Sequence, residues 1–187
     1  MRSTITSTVF VLLLLGGVQQ GCRQPNNPAR VLALDSLVRM ADSLAMQLDA
    51  IDSVPLLRMD SVFNTQRTEL EAYFSDTLQR DTGMVAGNYY RAMYKSLPRA
   101  LGNRREFRRS IEESRKKLKD LQRDASKGIW SEEEELAFYE QERLIMSELA
   151  RSTSVIMNST ATSLREWENG HVIVDSVLAA RRRTPAN

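Results

Sequence analysis

The apolar residues of this chain fall into two kinds of pattern. One is a single run, Val9–Val18, about ten residues long and interrupted by Gly16-Gly17. The other is a set of long stripes that begins after residue 27. In the stripes apolar positions recur at spacings of three and four, the period of one helix face. Asn27-Pro28 reads as an N-cap followed by proline in the first turn. The first stripe is then Leu34, Leu37, Ala41, Leu44, Leu48 and Ile51, ending near Ser53. Pro55 marks the start of a second helix with the stripe Leu56, Met59, Phe63, Gln66, Leu70, Tyr73 and Thr77. So short a turn predicts that these two helices are antiparallel neighbours.

Asp81-Thr82-Gly83 predicts a break, and Gly87 extends the predicted loop. The pattern resumes at Ala86, Tyr90, Met93 and Leu97 and keeps phase through Arg104, Phe107, Ile111, Ser114, Leu118, Leu121 and Ala125. Pro98 and Gly102 lie inside that run; the unbroken phase predicts a kink there rather than a stop. Lys127-Gly128 ends the helix, and Ser131 with Glu134 forms a capping box for the next. That last long helix carries Leu136, Tyr139, Met146, Ala150, Thr153, Met157, Thr160, Leu164 and Trp167. Gly170 should weaken it, leaving Val172–Arg183 as a further helical segment despite the strand propensity of Val172-Ile173-Val174.

These elements predict an all-α fold, an elongated antiparallel helical bundle built on a long coiled-coil-like hairpin. Its two later helices would each be about 40 residues and roughly 60 Å long, about twice the width of a compact domain of this size. The two shorter helices would pack along part of the hairpin.

The Val9–Val18 run is too short to span a bilayer comfortably and has the length of a signal-peptide apolar core. Arg2 supplies a positive start, and the segment closes on Gly21-Cys22, where Cys22 is the only cysteine. This arrangement resembles a bacterial lipoprotein signal peptide, although Gln19 and Gln20 stand where an aliphatic and a small residue are usual. The resemblance implies cleavage after residue 21 and lipid on Cys22. Residues 22–27 would form a polar tether, 28–183 the helical bundle, and 184–187 a disordered tail. Arg23, rather than Asp, after the cysteine implies by the same resemblance a place in the outer membrane, facing the periplasm.

Charge removes several function classes. With 26 Lys and Arg against 24 Asp and Glu, the chain lacks the basic field of a nucleic-acid binder. Charge is instead segregated: Arg99–Lys127 holds eleven basic and five acidic residues, and Glu132–Glu148 seven acidic and one basic. In an antiparallel hairpin these fields would face and neutralise each other. The alternative is a basic face, with Arg104, Arg105, Arg108 and Arg109, that touches a partner or an anionic envelope molecule.

Catalytic and metal chemistry find little support. Glu168-Asn-Gly-His171 matches the Glu-x-x-His spacing of di-iron bundles once, but those sites need two histidines and His171 is alone. There is no Gly-x-Ser-x-Gly elbow and no glycine-rich phosphate loop. No enzyme, metal or cofactor is therefore expected. Tyr89, Tyr90 and Tyr94, beside the predicted loop, are the best candidates for a partner contact.

One tripeptide recurs. Asp-Ser/Thr-aliphatic occurs with its hydroxyl at Ser36, Ser43, Ser53, Ser61, Thr77 and Ser176. It resembles the O-glycosylation motif of one Gram-negative phylum, which would make these hydroxyls acceptors. Polar-polar-apolar is also what an amphipathic helix looks like, and two copies lie one heptad apart. The functional expectation is a lipid-anchored interaction or spacer module that meets another envelope protein or a second copy of itself. The alternative is a bundle holding an apolar or anionic molecule near Tyr90, Met93 and Trp167.

Overall fold

The computed structural model describes residues 27–74 and 80–183. The signal segment, Cys22, Thr77 and the 184–187 tail lie outside the described residues. Within them the fold is an all-α helical bundle, with no strand. In chain order the elements are α1 (Pro28–Asp49), α2 (Ser53–Tyr73), α3 (Arg80–Arg91), a π-helical turn (Ala92–Ser96), α4 (Leu97–Leu101), α5 (Arg104–Ser126) and α6 (Glu132–Arg183).

The elements form three arms running up, down and up. The unbroken third arm, α6, has 52 residues and is about 78 Å long at 1.5 Å per residue. Its N-terminal half packs on α1 and α5, its C-terminal half on α2 and α3, and α4 lies at its middle, near Arg151 and Ile156. The register follows from side-chain neighbours along α6. Arg30 of α1 lies beside Glu135, Tyr89 of α3 beside Trp167 and Gly170, and Glu69 of α2 meets Arg182.

The expected antiparallel pairing of α1 with α2 does not form. Ile51 is itself buried, and Asp52 caps the next helix, its carboxylate accepting from the Val54 N–H at 2.9 Å. The apolar stripe thus runs through the junction from Leu48 to Leu56. The chain bends there without reversing, and α2 continues the arm begun by α1.

The second arm antiparallels the first, with one hydrogen bond and two ion pairs at heptad intervals. Asp35 accepts from Gln122, Asp42 pairs with Arg115 at 2.5 Å, and Asp49 accepts from Arg108 at 3.0 Å. One step further, Arg104 donates to the Ile51 carbonyl. Arg108 and Arg115 of α5 therefore meet α1, and Arg104 the junction after it, while of the acidic stretch of α6, which the sequence pattern had set opposite the basic residues, Glu142 feels Lys117. A third arm gives α5 a second flank, and the aspartates of α1 repeat every seven residues along it. Each exposed pair contributes about 0–1 kcal/mol, so the ladder sets register more than stability.

The expected hairpin of two helices of about 40 residues each is not what forms. Its first helix stops at Gly102-Asn103, where Asn103 adopts φ 53°, and α5 restarts with 23 residues. Pro98 is handled separately. Its ring would clash with the carbonyl four residues back. The π-helical turn just before it, with the Leu97 N–H on the Ala92 carbonyl, is the local widening that accommodates a residue of this kind. The predicted loop at Asp81–Gly83 and Gly87 is helix α3. Ala86, Tyr89, Ala92 and Met93 are buried along this arm, and that packing outweighs the low helix propensity of glycine.

The termini read from local chemistry are as expected. Asn27 accepts from the Arg30 N–H at 3.1 Å. Gly128, at φ 60°, closes α5 in a Schellman turn with the Ile129 N–H on the Asp124 carbonyl and its own N–H on that of Ala125. Ser131 and Glu134 make the reciprocal bonds of a capping box.

Gly170 does not weaken α6, which runs through it to Arg183. A Cβ at this position would lie 2.8 Å from the Tyr89 Cβ, so glycine permits α3 to approach there. Gly87 has open space at the same test. Opposite stability effects are therefore expected. Gly170→Ala should destabilise by about 1–3 kcal/mol from overpacking. Gly87→Ala should stabilise by about 0.5–1 kcal/mol. Thermal melts of the two variants test this; a Gly170→Ala protein as stable as the parent would refute the close-approach account.

Candidate functional site

The polar and aromatic groups that the packing leaves with unusual surroundings fall in three places. The first is an aromatic platform on α2 and the second arm. Phe63 of α2 meets Tyr90 edge-on with ring centres 5.7 Å apart, and Phe74 meets it from another side at 5.5 Å. Tyr94, one helical turn on, stacks on Tyr90 at 5.5 Å with the planes 10° apart. The Arg67 guanidinium lies 4.7 Å from the centre of the Tyr94 ring. Glu71 ties the group together, accepting from Arg67 Nε at 2.8 Å and from the Tyr90 hydroxyl at 2.6 Å. Those bonds, Arg67 first, hold the Glu71 carboxyl below its ordinary value, and the same contact raises the Tyr90 phenol. Tyr94 is exposed, so the platform presents a fixed ring and a fixed cation to solvent.

Of the three tyrosines read as contact candidates, Tyr89 does not belong to that surface. It is fully buried under Gly170, 6.0 Å from Trp167 by ring centres, and burial pushes its phenol well above the usual range. The helical phase in α3 is shifted by one residue from the stripe through Tyr90, because Tyr89 takes the gap left by the glycine. Met93 is also buried and Trp167 packs on Tyr89, so the region near Tyr90, Met93 and Trp167 is filled by side chains.

The second place is the break at Gly102-Asn103. Arg104, Arg105 and Arg109 line an open concavity of about 730 Å³ together with Glu106 and Glu113. The four arginines singled out in the sequence are largely engaged within the protein. Arg104 donates to Ile51 O, Arg108 to Asp49 and Glu112, and Arg109 to Glu113 at 3.0 Å. Carboxylates of α1 and α5 thus neutralise Arg108 and Arg109, and a backbone carbonyl holds Arg104.

The third place was not found by sequence reasoning. The stripe of α6 that is buried starts one residue before the expected Leu136, at Glu135, and returns at Glu142, Leu149, Ile156, Ser163 and Gly170. Two glutamates thus occupy core positions. Glu135 is 1% exposed and neither carboxylate oxygen has a hydrogen-bond partner. Its nearest cation, Arg30, is 3.9 Å away and lies over the Tyr139 ring. Glu142 is 8% exposed with Oε2 unpartnered. Burial raises both carboxyls; Arg30 opposes the shift at Glu135 and Lys117 at Glu142. Extending the Leu149–Thr153–Ile156–Thr160 alternation backwards along the sequence would have reached Met146, Glu142 and Glu135.

The remaining candidates are quickly placed. Ser36, Ser43, Ser61 and Ser176 lie on exposed faces inside regular helix, and Ser53 is the first residue of α2. Ser36 and Ser176 donate to the carbonyls four residues back. His171 stacks on Trp167 with ring centres 4.8 Å apart, and its Nδ1 lies 2.7 Å from the Trp167 carbonyl. Among the described residues no three His, Cys, Asp or Glu side chains gather as a metal site, and no helix is long and apolar enough to cross a membrane. No protein-family model, curated protein or solved structure matches the chain.

The raised Glu135 carboxyl fixes the sign of a pH effect. The folded state holds this proton more tightly than the unfolded state. Stability therefore falls as pH rises from the unfolded value, near 4.5, through the raised folded value, and levels off above it. Glu135→Gln should flatten this part of the melting-temperature profile. A profile that keeps its full slope in the variant would exclude Glu135 as the source.

Proposed function

We propose that this protein is a lipid-anchored helical rod of the cell envelope, held in the outer membrane through Cys22 and facing the periplasm. It works as an interaction or spacer module and carries no catalytic chemistry. The observation that carries this reading is the placement of the Tyr94–Tyr90–Arg67 platform. It lies beside Tyr89 and Gly170, about 50 Å along α6 from the Glu135 end, at 1.5 Å per residue. The tether of residues 22–27 leads into the other end, where α1 begins beside Glu135. A contact surface would thus be held away from the lipid. Tyrosine and arginine are the residue types that dominate binding energy at protein interfaces, and a cluster already locked by Glu71 loses little freedom on binding. The partner class is another envelope protein, or a second copy of this chain.

Two measurements bear on this. Cys22→Ser should move the protein from the membrane to the soluble fraction, and unchanged membrane retention would overturn the anchor. Crosslinking in the native envelope should recover a specific protein through the platform. Tyr94→Ala should weaken that contact by about 2 kcal/mol, roughly thirty-fold. Recovery of no partner, or recovery unaffected by the substitution, would count against the platform.

A further inference from the structure

Near the turn between α5 and α6 lies an open cleft of about 330 Å³. Trp130 and Phe138 form two of its walls, with ring centres 5.0 Å apart and planes 69° apart. Leu121 adds an aliphatic wall. Glu142 also lines the cleft. It is more than nine-tenths buried, and its Oε2 has no hydrogen-bond partner.

A buried carboxylate is costly unless a cation or hydrogen-bond donors complete it. Inside the protein Glu142 feels only the charge of Lys117, which is itself exposed. The other ionisable groups lining the cleft are Asp120 and Asp124, both paired with Arg123 at 2.9 and 3.2 Å, so with Lys117 counted the three carboxylates leave the surroundings acidic by one charge, that of Glu142. An anion would meet three carboxylates, two of them already held by Arg123, and one ammonium. A neutral apolar molecule would leave Glu142 as it is. A bare metal ion would need oxygen ligands that converge, and among the described residues no three carboxylates gather in that way. An organic cation suits both features: aromatic faces attract an ammonium group, and the carboxylate completes it. The volume is at the lower end of the range for small-molecule sites.

We infer that the Trp130–Phe138–Glu142 cleft is a binding site for a small organic ammonium ion with an apolar or aromatic body. This inference does not depend on the anchor or on the platform, which lies near the other end of α6.

The test uses the full-length chain, labelled with ¹⁵N and held in a maltoside detergent, which carries no cation of its own. Phenethylammonium is the probe, with 2-phenylethanol as neutral and 3-phenylpropionate as anionic control. The indole N–H signal of Trp130 should shift saturably with the ammonium probe, while that of Trp167 stays in place. Glu142→Gln should weaken binding at least ten-fold. Phe138→Leu, at a half-exposed position that tolerates change, should weaken it several-fold while keeping an apolar wall. Three results would overturn the inference: no saturable Trp130 shift with the ammonium probe, an equal response to 2-phenylethanol, or unchanged affinity in both variants with their folds intact by circular dichroism.

Discussion

Everything in this fold is indexed to the buried stripe of α6. A helix of 52 residues that hides one face along its whole length has a single, nearly straight seam. The other two arms must follow that seam for its full length. They do so by breaking at Ala50–Asp52 and at Gly102-Asn103, and by widening into a π turn ahead of Pro98. The irregularities of the chain are thus concentrated in the arms that adapt, not in the helix they adapt to. The ladder from Asp35–Gln122 to Asp49–Arg108 then fixes how far one arm may slide along the other.

What could be read in the sequence was what depends on neighbours in the chain. The Asn27 cap, the Gly128 turn and the Ser131–Glu134 box are each satisfied within a few residues, so local chemistry suffices to find them. The all-α class and most of the core stripe followed from the three–four spacing. The glycines were different. Gly83, Gly87 and Gly170 carry the same local signal, a loss of helix propensity. Their roles separate only when Tyr89 is seen to occupy the space above Gly170 and nothing stands above Gly87. The direction of α2 was hidden for a related reason: a short junction can reverse or merely bend, and the burial of Ile51 decides it.

The site most exposed to misreading was the N-terminal part of α6. Four consecutive glutamates at a helix start are well explained by the dipole, and Leu136 offered an apolar position with which to begin the stripe. That explanation holds for Glu132 and Glu133, which are exposed. It does not cover Glu135 or, two turns on, Glu142. An apolar residue at either place would avoid the desolvation of a carboxylate, so the packing there is not the most stable this backbone could carry. At Glu135 an arginine stands close by. Glu142 instead borders the cleft of Trp130 and Phe138, although its Oε2 is itself shielded from solvent.

An up-down-up path also sets how the rod would bear load. Asn27 and Arg183 sit at opposite ends, so a pull applied between them runs along the arms and not across them. The α1–α5 ladder and the Glu69–Arg182 pair would be loaded in shear, many contacts at once, instead of opening one after another as in a peeled hairpin. Such a rod resists extension more strongly than its modest individual ion pairs suggest. Its first yielding points under tension would be the junctions at Ala50–Asp52 and Gly102-Asn103, where the helical hydrogen bonding of the arms is already interrupted.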